Sequence, residues 1–229
     1  MYKTEPHLHT FPVSSCAFLE PREIVARYKE AGYHTLIISD HFAQYHFEKL
    51  EAHLGRTLTW AQYTDLFFTG VEAAKAAGEE LGIRVLCSVE LTLGPNHYLL
   101  YGADRDFFLA LPGIFDMTIE AFYPIAKAHG VTVIQAHPLR DGKCIPKPEV
   151  VDGFEVLNSH PRHDNRNEEV LALAARYPRL LQTAGSDAHR VQDIGGTAVL
   201  SDTPVETVED YLALLRSGKA TLLNRREET

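Results

Sequence analysis

The sequence predicts an α/β fold with parallel strands gathered into a sheet or barrel. Short apolar runs of strand length alternate with stretches of helical periodicity. Glycines stop two of the helical stretches, at Gly32 and Gly82. His, Asp and Glu recur where the apolar runs end, as expected where the C-terminal strand ends of a barrel converge on one face.

The chain opens with TEPHLHT (4–10), where His7 and His9 stand two apart and so share one face of a first strand. EPREIVARYKEAG (20–32) reads as a helix entered near Pro21. HTLIISDH (34–41) reads as a buried strand ending in Asp40 and His41. The next stretch, FAQYHFEKLEAHLGRTLT (42–59), is longer than a bare connection needs. It carries Phe42, Tyr45, His46 and Phe47, and reads either as a lid over the site or as a short extra helix packing its aromatics on the barrel.

A helix over 60–82 follows, then strands over 83–91, ending at Glu90, and over 97–103, opening with His97. A helix over 118–130 leads into VTVIQAHP (131–138), a strand ending at His137. The segment 141–153 reads as a surface loop. GFEVLN (153–158) is a strand, 166–177 a helix, and RLLQTAGSDAH (179–189) a strand whose polar end holds Asp187 and His189. A last helix covers roughly 205–217.

The 229 residues suit one sizeable core and one domain over 1–229. A 45% apolar and 23% charged composition is that of an ordinary globular chain. The net charge of −9, with no Lys or Arg run, argues against an extended nucleic-acid surface. It leaves room for a small anionic substrate held by bound cations. Three cysteines without a CxxC pair give no disulfide framework. No apolar leader and no membrane-length apolar run are evident, which predicts a cytoplasmic protein with no membrane partner.

Imidazoles and carboxylates at successive strand ends predict one metal site assembled from distant sequence, because a divalent cation compensates otherwise costly buried charge. Asp40 and His41 are neighbours on a strand and cannot both face inward; His41 is the expected ligand and Asp40 its orienting partner. Glu90, with two oxygens, can bridge two ions. Mixed imidazole and carboxylate donors suit zinc, manganese or iron better than calcium.

The ordered set HLH (7–9), SDHF (39–42), SVEL (88–91), NHYLLYG (96–102), AHP (136–138) and GSDAH (185–189) resembles the polymerase and histidinol phosphatase (PHP) family. GFEVLN (153–158) and IGGTAV (194–199) are similar to family segments as well. The resemblance implies a distorted (β/α)7 TIM-like barrel holding two or three divalent ions. It implies one ion on His7, His9, Glu90 and Asp187, a second on Glu90, His97 and His137, and a third on His41 and His189. Two departures stand out. Glu5 replaces the Asp that often precedes the first His, and FPVSSCA (11–17) offers Ser14, Ser15 and Cys16 where many members carry an Asp or His for the third site. Cys16 is expected to be packed rather than ligating, and His46 is a candidate to complete that site.

The implied activity is hydrolysis of a small phosphate ester, of the nucleotide or sugar phosphate class, by a hydroxide that closely spaced cations generate near neutral pH. Glu90, Asp187 and Asp40 are the candidate catalytic carboxylates. Arg140 and Arg190 are candidates to hold phosphate, and His160 and Tyr45 to line the substrate site. Two alternatives stand beside this reading. One is an amidohydrolase-type metal hydrolase, disfavoured by the lack of an evident bridging Lys. The other is a non-catalytic metal-binding regulatory domain.

Overall fold

The computed structural model describes residues 1–224. The first strand, β1 (Tyr2–Leu8), leads through a loop to α1 (Pro21–Glu30), which Pro21 enters and Gly32 ends at φ 78°. Then come β2 (Thr35–Ile38) and the two-residue β3 (His41–Phe42). The segment after His41 forms a helix, α2 (Gln44–Leu54), before α3 (Trp60–Leu81). A capping box between Thr59 and Gln62 starts α3, and left-handed Gly82 closes it.

The next two strands, β4 (Arg84–Leu93) and β5 (Asn96–Tyr101), form an antiparallel hairpin. Short α4 (Arg105–Leu109) and α5 (Ile119–Ala128) precede β6 (Thr132–Ala136), and β7 (Gly153–Asn158) precedes α6 (Asn167–Ala174). The chain ends through β8 (Leu181–Gly185), β9 (Thr197–Ser201), α7 (Val208–Ser217) and β10 (Thr221–Asn224).

The strands pair in the order β10-β9-β1-β2-β4-β5-β6-β7-β8, with β3 beside β4. The path bends back on itself. Just past β8, Asp187 N donates to His7 O at 2.8 Å and His9 N donates to Ala188 O at 3.1 Å. The sheet is therefore a nearly closed barrel, as the sequence predicts. Seven regular β/α units do not describe it, because β5 runs antiparallel to both β4 and β6. Glu90 correspondingly sits inside β4 rather than at its end. No helix among the described residues is long and apolar enough to cross a membrane.

Phe42 is fully buried, with Trp60, Tyr63, Phe67, Phe108 and Phe115 around it at ring centroid distances of 4.3–5.5 Å. Burying such a ring contributes about 1.5–3 kcal/mol, and it anchors β3 directly beside the polar centre. Phe47 stacks 4.4 Å from Tyr63. The aromatics of 42–59 other than Tyr45 thus pack on the barrel, and Phe42 and Phe47 are core groups rather than substrate contacts.

Two register breaks aim side chains into the barrel mouth. Between Glu5 and Leu8, β1 carries an extra residue relative to β2. Pro6 lies in that break and has no N–H to give the ladder. A second break, between Glu155 and Leu157, separates β7 from β8 locally.

Candidate metal centre

Glu90 is the hub of the polar cluster. It is fully buried, and the parallel β3–β4 register sets it beside His41. Its Oε1 lies 3.3 Å from His7 Nε2, 3.3 Å from His97 Nδ1 and 3.2 Å from His137 Nε2. Its Oε2 lies 2.5 Å from His41 Nδ1 and 3.6 Å from His9 Nε2. Asp187 Oδ1 is 2.9 Å from His9 Nε2 and 3.6 Å from His7 Nε2. His189 Nε2 reaches His41 Nε2 at 3.4 Å. Donors from six strand ends or strand interiors thus meet at one place. His41 stands at a junction: one ring nitrogen faces Glu90 and the other faces His189.

The backbone is strained where two of these residues sit. His137 (φ 30°) and Asp187 (φ 52°) are both in the left-handed region that non-glycine residues avoid, at a cost of about 1–3 kcal/mol each. Hydrogen bonds hold them there: His137 N donates to Glu155 Oε2 at 3.0 Å, and Asp187 N to His7 O. Strand alternation explains the shared face of His7 and His9. It does not explain Asp187 and His189, because β8 ends at Gly185 and the turn itself brings them in.

A divalent cation fits this donor set. Buried His7 Nε2, His41 Nδ1 and Glu90 Oε2, together with His97 Nδ1, make no well-aligned hydrogen bond and instead crowd against one another across the cluster. A buried polar atom left unpaired costs about 1–3 kcal/mol, so several converging on one point call for a shared positive charge. His7, His9 and Asp187 form one set of donor atoms within 4.8 Å of one another, and His41, Glu90 and His97 form a second. Mixed His, Asp and Glu donors of this kind suit divalent metal ions.

Protons stand in for that charge. Burial works against a charged His7, but the carboxylates of Glu155, Asp187 and Glu90 outweigh it and raise the imidazole well above its usual range. His41 is raised in the same way, chiefly by Glu90. Burial likewise opposes ionisation of Glu90, yet His41, His7 and His97 hold it well below the ordinary carboxylate range. Asp187 is held low against burial by Arg140 first and then His7.

Several expected residues do something different from what the sequence suggests. Asp40 does not touch the His41 ring. Its oxygens accept from Thr10 N (2.6 Å), Thr10 Oγ1 (2.6 Å) and Ser14 Oγ (2.7 Å), so it fixes the loop after His9. Ser14 Oγ accepts from His41 N at 3.0 Å and carries that order onward. Arg140 is turned inward: it donates to Asp187 Oδ2 at 2.5 Å, Asn158 Oδ1 at 3.0 Å and Asn165 Oδ1 at 2.8 Å. Arg190 stacks 4.4 Å over the exposed Phe18 ring. His160 Nε2 pairs with Arg162 at 2.9 Å, and Arg162 in turn grips buried Asp193 at 2.7 and 2.8 Å. Tyr45 is 41% exposed. Cys16 is exposed rather than packed.

These groups wall a cleft of about 350 Å³ above the cluster, with His41, His97 and His189 on its floor and Tyr45, Arg140, Arg162 and Arg190 around it. Sequence reasoning misses Glu155. It is fully buried, and its Oε1 accepts from His7 Nδ1 at 2.8 Å. That bond leaves His7 Nε2 to face Glu90 and Asp187. The available signal is a carboxylate in the middle of GFEVLN, a strand buried at every position. Asp193, which accepts from the His189 and Arg190 backbone N–H groups at 2.9 Å, is missed as well.

The model of a PHP-associated family, PHP_C, matches residues 164–220. No curated protein matches the sequence. Among solved structures, the fold is similar to a chain from Bifidobacterium adolescentis assigned as a metal-dependent phosphoesterase, at 18% identity and a TM-score of 0.54, covering 93% of this chain and 95% of that one. It is similar to a two-domain Bacteroides vulgatus protein with a PHP-like metal-dependent phosphoesterase assignment, at 17% identity and a TM-score of 0.66, covering 97% of this chain and 64% of that one. It is similar, too, to an amidohydrolase from Chromobacterium violaceum with bound sulfate and no metal, at 15% identity and a TM-score of 0.53, covering 96% and 97%. At these identities the likeness is one of fold. The nearly closed barrel, the ordered HLH, SDHF, SVEL, AHP and GSDAH segments and the PHP-associated match over 164–220 make the chain similar to the PHP family.

Proposed function

We propose that the chain is a metal-dependent hydrolase acting on a small phosphate ester of the nucleotide or sugar phosphate class. The observation that carries the reading is the set of buried imidazole and carboxylate atoms converging on Glu90, lying under a cleft walled by arginines. His7, His9, Glu90 and Asp187 would hold one divalent ion, Glu90, His97 and His137 a second, and His41 and His189 would contribute to a third. Zinc, manganese and iron fit these donors. Bound ions of this kind supply an activated water near neutral pH and neutralise charge on phosphoryl oxygens.

The chain's own groups do the rest. Glu90 presents one oxygen to each side of the cluster. Glu155 fixes the His7 ring, and Asp40 fixes the loop that carries Ser14. Arg140 holds Asp187 in place and borders the cleft, while Arg190 gives its mouth a positive charge suited to an anionic ester and Arg162 is matched by Asp193. The cleft volume of about 350 Å³ suits a small ligand.

The amidohydrolase reading keeps some support from the Chromobacterium likeness, but no lysine among the described residues lines the cleft. Assay of the manganese- and zinc-loaded chain against phosphomonoesters and against carboxamides and lactones separates the two. Phosphomonoester turnover that disappears in Glu90→Gln is the expected result. Turnover of the carbonyl substrates alone would transfer the chain to the rival class, and no turnover of either with metals bound would favour a non-catalytic domain.

A further inference from the structure

The loop after the HLH segment lacks the Asp or His expected there, yet the structure does not leave His41 and His189 short of donors. Cys16, exposed on the cleft wall, lines the same cleft as His41 and His189. The donor atoms of Cys16, His41 and His46 all fall within 4.8 Å of one another. His46 is only 3% exposed, and its ring stacks on that of His41 at 5.0 Å and 14°. Its Nδ1 is engaged by Ser15, with the hydroxyl at 3.0 Å and the longer backbone contact at 3.3 Å, and its buried Nε2 has no partner. The Ser15 N–H makes Nδ1 the accepting nitrogen in the metal-free chain, so the unpartnered Nε2 carries the ring proton; on binding an ion that proton would pass to Nδ1, facing the Ser15 hydroxyl, and free the Nε2 lone pair.

We propose that Cys16, His41, His46 and His189 form a thiolate-containing metal site, one sulfur and three imidazoles, at the outer edge of the cluster. The inference rests on the reading of the cluster as a divalent-metal centre. One thiolate and three imidazoles make a closed tetrahedral set of the kind zinc takes, at about 2.3 Å to sulfur and 2.0–2.1 Å to nitrogen. The soft sulfur biases this position toward zinc, whereas the carboxylate-rich position at Glu90 and Asp187 accepts harder ions such as manganese. The site also joins α2, which carries His46, to the loop of Cys16, so the ion would fasten the helix bearing Tyr45 to the cleft wall.

The test is cobalt(II) titration of the full metal-free chain, followed by absorption spectroscopy and elemental analysis. Wild type should show an intense near-ultraviolet sulfur-to-cobalt charge-transfer band and bind one ion more than Cys16→Ser. Cys16→Ser should lose the band but keep the visible cobalt absorption of the remaining ions, His46→Ala should weaken the band, and Cys144→Ser should leave it intact. A wild-type chain that binds cobalt without the band, or a Cys16→Ser chain with unchanged metal content, overturns the thiolate site alone. Failure of wild type and variants alike to bind cobalt overturns the metal centre itself. The wild-type spectrum needs no substitution, so the proposal stays testable even where a variant folds poorly.

Discussion

Replacing Glu155 with Gln changes one atom yet should loosen the metal centre. The carboxylate serves three donors: Oε1 accepts from His7 Nδ1 at 2.8 Å, and Oε2 from His137 N at 3.0 Å and Asn158 Nδ2 at 2.8 Å. A glutamine has one accepting oxygen. If it serves His7, its NH2 faces two donors; if it serves the other pair, His7 loses its anchor. Asn158 cannot flip freely to help, because its Oδ1 accepts from Arg140 and from His160 N. A buried donor left unmatched costs about 1–3 kcal/mol, so the metal-free chain should lose stability of that order. Partners that orient metal-bound His residues are worth about 10–100-fold in metal affinity, or about 1.4–2.8 kcal/mol.

One effect opposes this loss. Without the Glu155 charge, His7 holds its proton less firmly and competes less with the metal. The two effects separate with pH, since proton competition fades as pH rises while lost positioning does not. Zinc titration against a chromophoric chelator, at two pH values, reads the affinity, and thermal unfolding of the metal-free chain reads stability. An affinity within about twofold of wild type at the higher pH, on a folded variant, would show that Glu155 does not position His7.

Gly185→Ala should damage the same residues sterically. A Cβ there would stand 2.3 Å from Glu155 Oε1 and 2.5 Å from His7 Cβ, so overpacking of about 1–3 kcal/mol should appear in chemical denaturation, together with weaker metal binding. Metal binding should release protons. His7 and His41 have raised folded values, so in the metal-free chain they stay protonated past the usual imidazole range, and affinity should keep climbing as pH rises beyond that range. The same raised values mean that their contribution to metal-free stability is present below the unfolded value and is lost as pH rises through the folded one. Calorimetry in buffers of different ionisation heat measures the release, and buffer-independent heats would contradict it. Tyr45→Ala should slow turnover of a bulky phosphate ester more than that of a minimal one, because Tyr45 is the exposed aromatic of 42–59 on the cleft wall; equal losses on both would remove it from substrate contact.

The strands were legible where apolar runs were short and glycine-bounded, and the ligand order was legible because each donor follows such a run. The β4–β5 hairpin was not, since a strand continuing past Glu90 to Leu93 looks the same in sequence as one that stops. The inward turn of Arg140 was hidden because its partner, Asp187, lies 47 positions away. In sequence Asp40 reads as a partner of its neighbour His41, whereas its oxygens reach back across about thirty residues to Thr10 and Ser14. Residues 42–59 offered both a lid and a packed helix. The structure gives α2, with Phe42 and Phe47 in the core and only Tyr45 turned to the cleft. Glu155 does not stand out because its strand reads as uniformly buried, and one carboxylate in such a strand marks a partner that sequence alone does not name.

The central claim is that the buried cluster around Glu90 is a multinuclear metal centre. Elemental analysis of the freshly reconstituted chain, after removal of free metal, tests it most directly. At least two divalent ions per chain are expected, falling in Glu90→Gln, whose carboxylate contacts donors on both sides. Less than one ion per chain, or an unchanged content in Glu90→Gln, would contradict the account.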